Sequence, residues 1–593
     1  MKRILLVILV IAAIPVIAAI VFISTFDINN YKGALESRLS ILTGNPVEIG
    51  KLSLGWKGGV RIGIDGLKIR SGSPAGPAAL SVDRAEAGVD LAPILTRKLQ
   101  ISSIHLVRPE IGLVRNKEGR VELRGYSPKS DVASVPAAAA PAAFGFSISF
   151  IRISDGTIRY TDMSDETPSE LVIKKIDANI RDVSMTTPVK FDVKAAVAGE
   201  RRNVSASGIA GGWLAGRIFL KDFNLEADLA AFGHVDIVKA IPSLGRIGLK
   251  EGLAGVVSAR IRSLETSGEK MTRLSGEISI KDGNLVLTGM RVPIERIYLD
   301  MSAEEATLTV RSFAARIGAG AIKAAARIDD AFSSPRTALE LGIEIKGLGS
   351  FLSEVAGIRQ NLDGNARIVF GGTFSGGAWP EISRTISGRG TFSLDQGIIM
   401  DANVLDQTIG ALTVFPTLVD SMQGTAPEPE KRAMAEKYTV LKPLTQSYTI
   451  EGGYIIIPDL TLQSDYVDMS GEAKMSLAGD LSGSGMIKFS QNISGSMLKV
   501  VPQMKAITDP QGLVTFPINF KGGGGTFKVI PDMKYIGRKV AVQTAGDAVS
   551  GYLKKAMDAS GSAQPSGAAP GSESGKPPKI KDFLKALANE TKK

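Results

Sequence analysis

Residues 146–160 read Phe-Ser-Ile-Ser-Phe-Ile-Arg-Ile-Ser-Asp-Gly-Thr-Ile-Arg-Tyr. Phe146, Ile148 and Phe150 alternate with serine, Ile153 leads to Asp155-Gly156, and Ile158 and Tyr160 resume beyond it. Period-two alternation puts one set of side chains on each face of a strand, and Asp-Gly between two such runs is a strong hairpin signal. The phrase recurs. Val60, Ile62 and Ile64 lead to Asp65-Gly66, then Leu67 and Ile69; Ile278 and Ile280 lead to Asp282-Gly283, then Leu285 and Leu287; Phe392 and Leu394 lead to Asp395-Gln396-Gly397, then Ile398 and Met400. Each instance alone is also what an ordinary β-turn looks like, and the spacing is too irregular for a strict solenoid period. Between these turns, Leu308 and Val310, Tyr454 and Ile456, and Leu460 and Leu462 each leave polar residues on the other face. The reading is a mainly β chain: a long antiparallel sheet, apolar on one face, of about 35 strands averaging about six residues.

Composition agrees and excludes much else. Aromatics are 6% of 593 residues and glycine supplies 65, a mixture suited to strands and tight turns. With 70 Lys plus Arg against 60 Asp plus Glu, the surplus of +10 is modest for the length, and no nucleic-acid partner is expected. There is no cysteine, and His105 and His234 are the only histidines, which removes thiolate chemistry and multi-His metal clusters. No GK[ST] phosphate loop, HExxH or GxSxG occurs. Both histidines read as structural or surface residues. The expectation is a protein that is not an enzyme, with no cofactor and no metal.

Ile4 to Ile23 is a run of twenty residues without a charge that includes Leu9 and Pro15. At about 1.5 Å per helical residue it can cross about 30 Å of hydrocarbon. Lys2 and Arg3 before it place the N-terminus in the cytoplasm by the positive-inside rule. A cleaved signal peptide competes, but its apolar core is shorter, about 7 to 15 residues. Residues 1–26 are thus read as a stub and single-pass anchor.

Behind the anchor, Tyr31, Leu35, Leu39 and Leu42 recur at helical spacing, so 27–130 is read as an amphipathic helix followed by strands. An Ala/Pro linker covers 131–145, an extended β body 146–402, a helical interruption 403–437, and a second β region 438–538. An amphipathic helix is expected over 539–558. A flexible basic tail, 559–593, ends in a short helix with Ile580, Phe583, Leu584 and Leu587 on one face. Residues 521–593 hold 13 basic against 6 acidic residues, a surplus of 7. Attraction to anionic lipid or an acidic partner, and simple solubilisation, both account for it.

The order of features resembles the AsmA family of bacterial inner-membrane-anchored envelope proteins, a group related to the bridge-like lipid transfer proteins. The anchor is followed by Tyr31-Lys32, the Leu35/Leu39 helix, Thr43-Gly44-Asn45-Pro46-Val47-Glu48-Ile49, Leu52-Ser53-Leu54 and Ile64-Asp65-Gly66-Leu67. Then come Ile104-His105-Leu106-Val107-Arg108-Pro109-Glu110-Ile111 and Ile153-Ser154-Asp155-Gly156-Thr157-Ile158-Arg159-Tyr160. Gly388-Arg389-Gly390-Thr391-Phe392 and Phe516-Pro517-Ile518-Asn519-Phe520 look similar too, whereas 165–380 agree only in strand texture. Arg120-Val121-Glu122 departs from the Asn-Trp type ending of the family.

The resemblance implies an elongated, curved sheet, folded lengthwise like a gutter, whose apolar face carries phospholipid acyl chains through the periplasm for outer-membrane biogenesis. Leu308, Val310, Phe392, Leu394, Ile398, Met400, Tyr454, Ile456, Leu460 and Leu462 are then the candidate groove lining. An assembly or scaffolding factor for outer-membrane proteins is the alternative. Transport requires an open face, and a face filled by its own side chains favours scaffolding.

Overall fold

The structure is a computed structural model. It describes residues 27–43, 45–56, 60–70, 78–90, 100–117, 121–124, 147–163, 168–184, 187–212, 217–233, 237–238, 248–267, 270–357, 362–412, 415, 418–523 and 526–543. The anchor Ile4 to Ile23, the linker 131–145, His234 and the tail with Ile580 to Leu587 lie outside those residues. No helix among the described residues is long and apolar enough to cross a membrane. The chain divides into two compact units, 1–287 with 300–306, and 288–299 with 307–593.

The first unit holds helix α1 (Lys32–Thr43), led by a 3-10 turn (Ile28–Tyr31), and then strands. These are β1 (Val47–Glu48), β2 (Lys51–Trp56), β3 (Val60–Arg70), β4 (Ala78–Asp90), β5 (Gln100–Arg115), β6 (Val121–Leu123) and β7 (Ser147–Asp162). They continue as β8 (Ser169–Ser184), β9 (Val189–Val197), β10 (Val204–Gly211), β11 (Phe219–Asp228), β12 (Leu249–Ser267) and β13 (Lys270–Leu287). Strand β14 (Ile294–Glu304) contributes residues to both units. Among the described residues the register shows antiparallel pairing throughout this unit except at one place that the sequence did not signal: β5 and β7 run parallel, Ser103 opposite Phe150 through Arg115 opposite Asp162. A parallel pair needs a long connection, and the sequence between Arg115 and Ser147 is long enough for one.

The Asp-Gly phrases are not hairpin turns. Asp65-Gly66, Asp155-Gly156 and Asp282-Gly283 lie inside β3, β7 and β13, strands of 11, 16 and 18 residues. Each marks a kink with a left-handed residue: Gly66 at φ 67°, Asp155 at 55°, Asp282 at 52°. The local residues suit a turn, but they equally suit a bulge, because both need a residue that tolerates positive φ. Across β3, β4, β5, β7 and β8 the kinks align. Gly66 and Arg108 flank Asp83, Arg108 lies beside Asp155, and Asp155 lies beside the β8 kink at Lys175. Arg108 Nε donates to Asp83 Oδ2 at 2.7 Å and the Asp155 amide to Asp177 Oδ1 at 3.0 Å, so side chains stitch the crease. Bulges bend their strands, and aligned ones bend the sheet along one line. The described strands are accordingly longer than the sequence reading expected.

Helix α1 closes the first edge of this sheet. Ile28, Leu35 and Leu39 pack on buried Val47, Ile49 and Leu52. Asn29, Glu36 and Ser40 accept from the amides of Leu52 (2.8 Å), Ile49 (2.7 Å) and Val47 (2.9 Å), standing in for a missing strand. Three donors of that edge are thereby withheld from another chain.

The second unit continues with β15 (Thr307–Ile317), β16 (Gly320–Asp329), β17 (Arg336–Ile345), β18 (Leu362–Ser375), β19 (Ser387–Ile399), β20 (Thr439–Val440) and β21 (Leu444–Glu451). It ends with β22 (Tyr454–Gln463), β23 (Val467–Ser476), β24 (Leu481–Phe489), β25 (Thr515–Gly523) and β26 (Thr526–Pro531). Its helices are α2 (Leu348–Ala356), α3 (Trp379–Thr385), α4 (Val404–Gly410), α5 (Leu418–Thr425), α6 (Glu428–Ala435), α7 (Gln491–Val500) and α8 (Met533–Gln543). Helices α2, α3 and α7 interrupt stretches read as continuous β, and α8 begins six residues before the helix expected from 539. The Asp395-Gln396-Gly397 phrase is again a kink, within β19, with Gln396 at φ 53°.

Candidate functional site

Strand register turns the alternation into a surface. In the first unit one unbroken line of cross-strand partners runs Leu52, Ile64, Ala85, Leu106, Ile153, Ala178, Val193, Ala206, Leu225, Ala259, Ile278. All eleven are apolar. At about 4.8 Å per strand the line is about 48 Å long. A second line, Leu54, Ile62, Ala87, Ile104, Ile151, Ile180, Phe191, lies beside it. One residue along each strand, the opposite face reads Gly63, Glu86, His105, Arg152, Asn179, Asp192, Ser207, Asn224, Arg260, Glu277. One face is greasy and the other is polar.

Packing on the apolar face is local in this unit. Ile176, Ala178 and Ala195 cluster only with residues of β7, β8 and β9, while Leu106, Ile153, Val193, Leu225 and Ile278 remain half-buried. Among the described residues, helical cover is confined to α1 at β1 to β3 and to Phe232, Ile237 and Val238 near Leu249.

The second unit carries the same pattern. Val310, Ala326, Leu339, Gly372, Gly388, Ile450, Ile455, Met475, Leu481 and Gly522 are successive partners. Glycines let rings lie flat on this face: a Cβ at Gly388 would stand 2.8 Å from Phe370 Cε2, and one at Gly390 would stand 2.5 Å from Tyr448 Oη. Tyr448 Oη reaches across to donate to the Val369 carbonyl at 3.1 Å, and burial pushes its phenol pKa up. Flat rings keep the face shallow.

The C-terminal end is filled. Val404, Leu405, Ile409, Leu412, Leu418 and Met422 of the 404–435 helices pack with Met469, Ile487, Phe489, Phe516 and Phe520 of the sheet, joined by α7 and α8 through Ile493, Met497, Ile536 and Val540. Asn403 ties the layer together: its Oδ1 accepts from the Asp406 amide at 2.9 Å and its Nδ2 donates to the Ala433 carbonyl at 2.6 Å.

The expected groove residues divide. Leu308, Val310, Phe392 and Leu394 are on the apolar face, paired with Ile328, Ala326, Ile368 and Ala366. Leu394 is buried, and Leu460 and Leu462 pack on the helix-filled core. Tyr454 and Ile456 are on the polar face instead, opposite Ser476 and Lys474, with the Lys474 ammonium 3.8 Å from the Tyr454 ring centroid. The cause is a bulge between Ile457 and Leu460, which inverts the alternation there, so 454 and 456 do not share a face with 460 and 462. The β19 kink has the same effect: Ile399 packs into the core while Ile398 faces Asp363 and Val440, and Met400 is exposed. Ile398 and Met400 therefore leave the lining. Register alone carries this information, and Ile151, Leu225 and Ile322 were missed because no single strand reveals which lines are continuous.

His105 has a partner that the sequence does not reveal: its Nε2 lies 3.0 Å from Ser154 Oγ, 49 residues away in sequence. Burial holds the imidazole pKa below its ordinary value, with Glu86 opposing and Arg152 and Arg61 reinforcing. Acyl transfer needs a directed carboxylate and free oxyanion donors. The Glu86 carboxylate instead accepts from Arg84 Nε at 2.8 Å, and His105 sits mid-strand with ladder partners on both sides. The pair is a contact on the polar face.

In each unit the sheet has two chemically opposite faces; among the described residues the first unit's apolar face has helical cover only locally and the second unit's is helix-filled at one end, which defines a class of β-rich proteins with an extended apolar surface. Residues 1–282 match the AsmA family. AsmA is not a known enzyme family. No curated protein matches the chain.

Proposed function

We propose that the apolar faces shelter phospholipid acyl chains in transit between the inner and outer membranes, with Ile4 to Ile23 anchoring the chain in the inner membrane, Lys2 and Arg3 in the cytoplasm, and the sheet in the periplasm. The observation that carries this reading is the eleven-residue apolar line from Leu52 to Ile278, over whose middle the described residues place no helical layer. Uncovered apolar surfaces of that extent are uncommon and mark sites of apolar partners. An acyl chain of about 16 carbons forfeits about 0.8 kcal/mol per CH₂ in water, so about 12 kcal/mol opposes free desorption. A face of aliphatic side chains offsets most of that cost. The AsmA match over residues 1–282 and the two-faced sheet support the reading.

The helix-filled C-terminal end favours a second role for that end, a folded platform for outer-membrane proteins or their assembly factors. The discriminating experiment places photocrosslinking side chains at Leu225, Leu308 and Phe392, with Tyr454 and Ile456 as polar-face controls. Phospholipid adducts are expected at the first three. No adducts there, or equal adducts on both faces, would sink the transport reading.

A further inference from the structure

Helix α1 is not amphipathic in the ordinary sense, because it is apolar on two arcs. Its sheet-facing arc is spent, with Leu35 and Leu39 packed and Glu36 and Ser40 bonded to edge amides. At 100° per residue, Ala34, Arg38 and Ile41 fall on the other side within an arc of about 60°, and Tyr31, the last residue of the 3-10 turn, leads into it. All four are exposed, Tyr31 at 57% and Ile41 at 78%. That arc holds an aromatic, two apolar residues and one cation, and no acid, since Glu36 is turned inward.

What covers such an arc is indicated by the chain just before it. The chargeless run ends at Ile23, four residues before Asp27, so a fully extended link sets the start of the 3-10 turn that leads into the helix within about 15 Å of that run's end. Tyrosine favours the headgroup level, an exposed isoleucine reaches the acyl boundary, and arginine carries its charge to anionic phosphate along an apolar stem. We propose that the Tyr31/Ala34/Arg38/Ile41 arc of α1 rests on the anionic surface of the bilayer, so that the helix is a bridge whose inner side begins the apolar line at Leu52. This rests on the anchoring role proposed for Ile4 to Ile23.

The absence of cysteine permits a direct test. Single variants Ala34→Cys, Ile41→Cys and Lys68→Cys of the full chain, each carrying an environment-sensitive fluorophore, are reconstituted in phosphatidylcholine vesicles containing a minor fraction of phosphatidylglycerol. Lys68 is an exposed polar-face control on β3. Lipid-borne quencher is expected to dim the probes at 34 and 41 several-fold more than the probe at 68, and aqueous iodide to do the reverse. Iodide reaching 41 as freely as 68, in a chain that resists alkaline extraction, overturns the docking and leaves the anchor standing. A chain released by alkali, with an N-terminus beyond Ile23, overturns both.

Discussion

Truncating one isoleucine on the open part of the apolar face and one on the filled part measures how much lies above each. Ile322 of β16 is half-buried between Ala315 and Ile343; Ile487 of β24 is fully buried under the C-terminal helices. Both are on the apolar face of the second unit, and Ile→Ala removes the same atoms. Under the helices the loss includes the transfer term, about 0.8 kcal/mol for each CH₂, and a cavity, so Ile487→Ala should cost about 4 kcal/mol. Half-buried Ile322 keeps part of its surface in water, so part of the transfer term was never gained and Ile322→Ala should cost about 1.5 kcal/mol. Urea-dependent pulse proteolysis of the full chain, following fragments of the second unit, reads both. Equal costs would refute the reasoning, for they would mean that the face at β16 is packed as tightly as the core.

Three further outcomes follow from particular contacts. Gly390→Ala should destabilise by about 1–3 kcal/mol, because the new Cβ meets Tyr448, and the displaced phenol should titrate nearer its ordinary value in an ultraviolet pH titration. Glu36→Ala leaves the amide of buried Ile49 without its acceptor and should cost about 1–3 kcal/mol by denaturation, with more self-association in sedimentation because the edge reopens. His105 has a folded pKa below its ordinary value, so the unfolded chain takes up the proton first as pH falls from about 7 towards about 5. Stability should fall across that window by melting temperature, and His105→Gln should remove that part of the slope.

The sequence by itself determined that the chain is mainly strand and that each strand has one apolar face, because alternation such as Phe146, Ile148, Phe150 is a property of neighbours along the chain. It also carried the family through the order of its motifs. It did not reveal whether Asp155-Gly156 turns the chain or kinks it, since both conformations ask for the same residues. Tertiary structure decided that, and with it the strand lengths and the alignment of kinks into a crease. It likewise decided that Ile398, Tyr454 and Ile456 point away from Leu394 and Leu460, because a bulge shifts a period-two pattern by one residue. Which residues become a continuous surface depends on partners tens of residues distant, and pairing across strands is a relation that no local pattern contains.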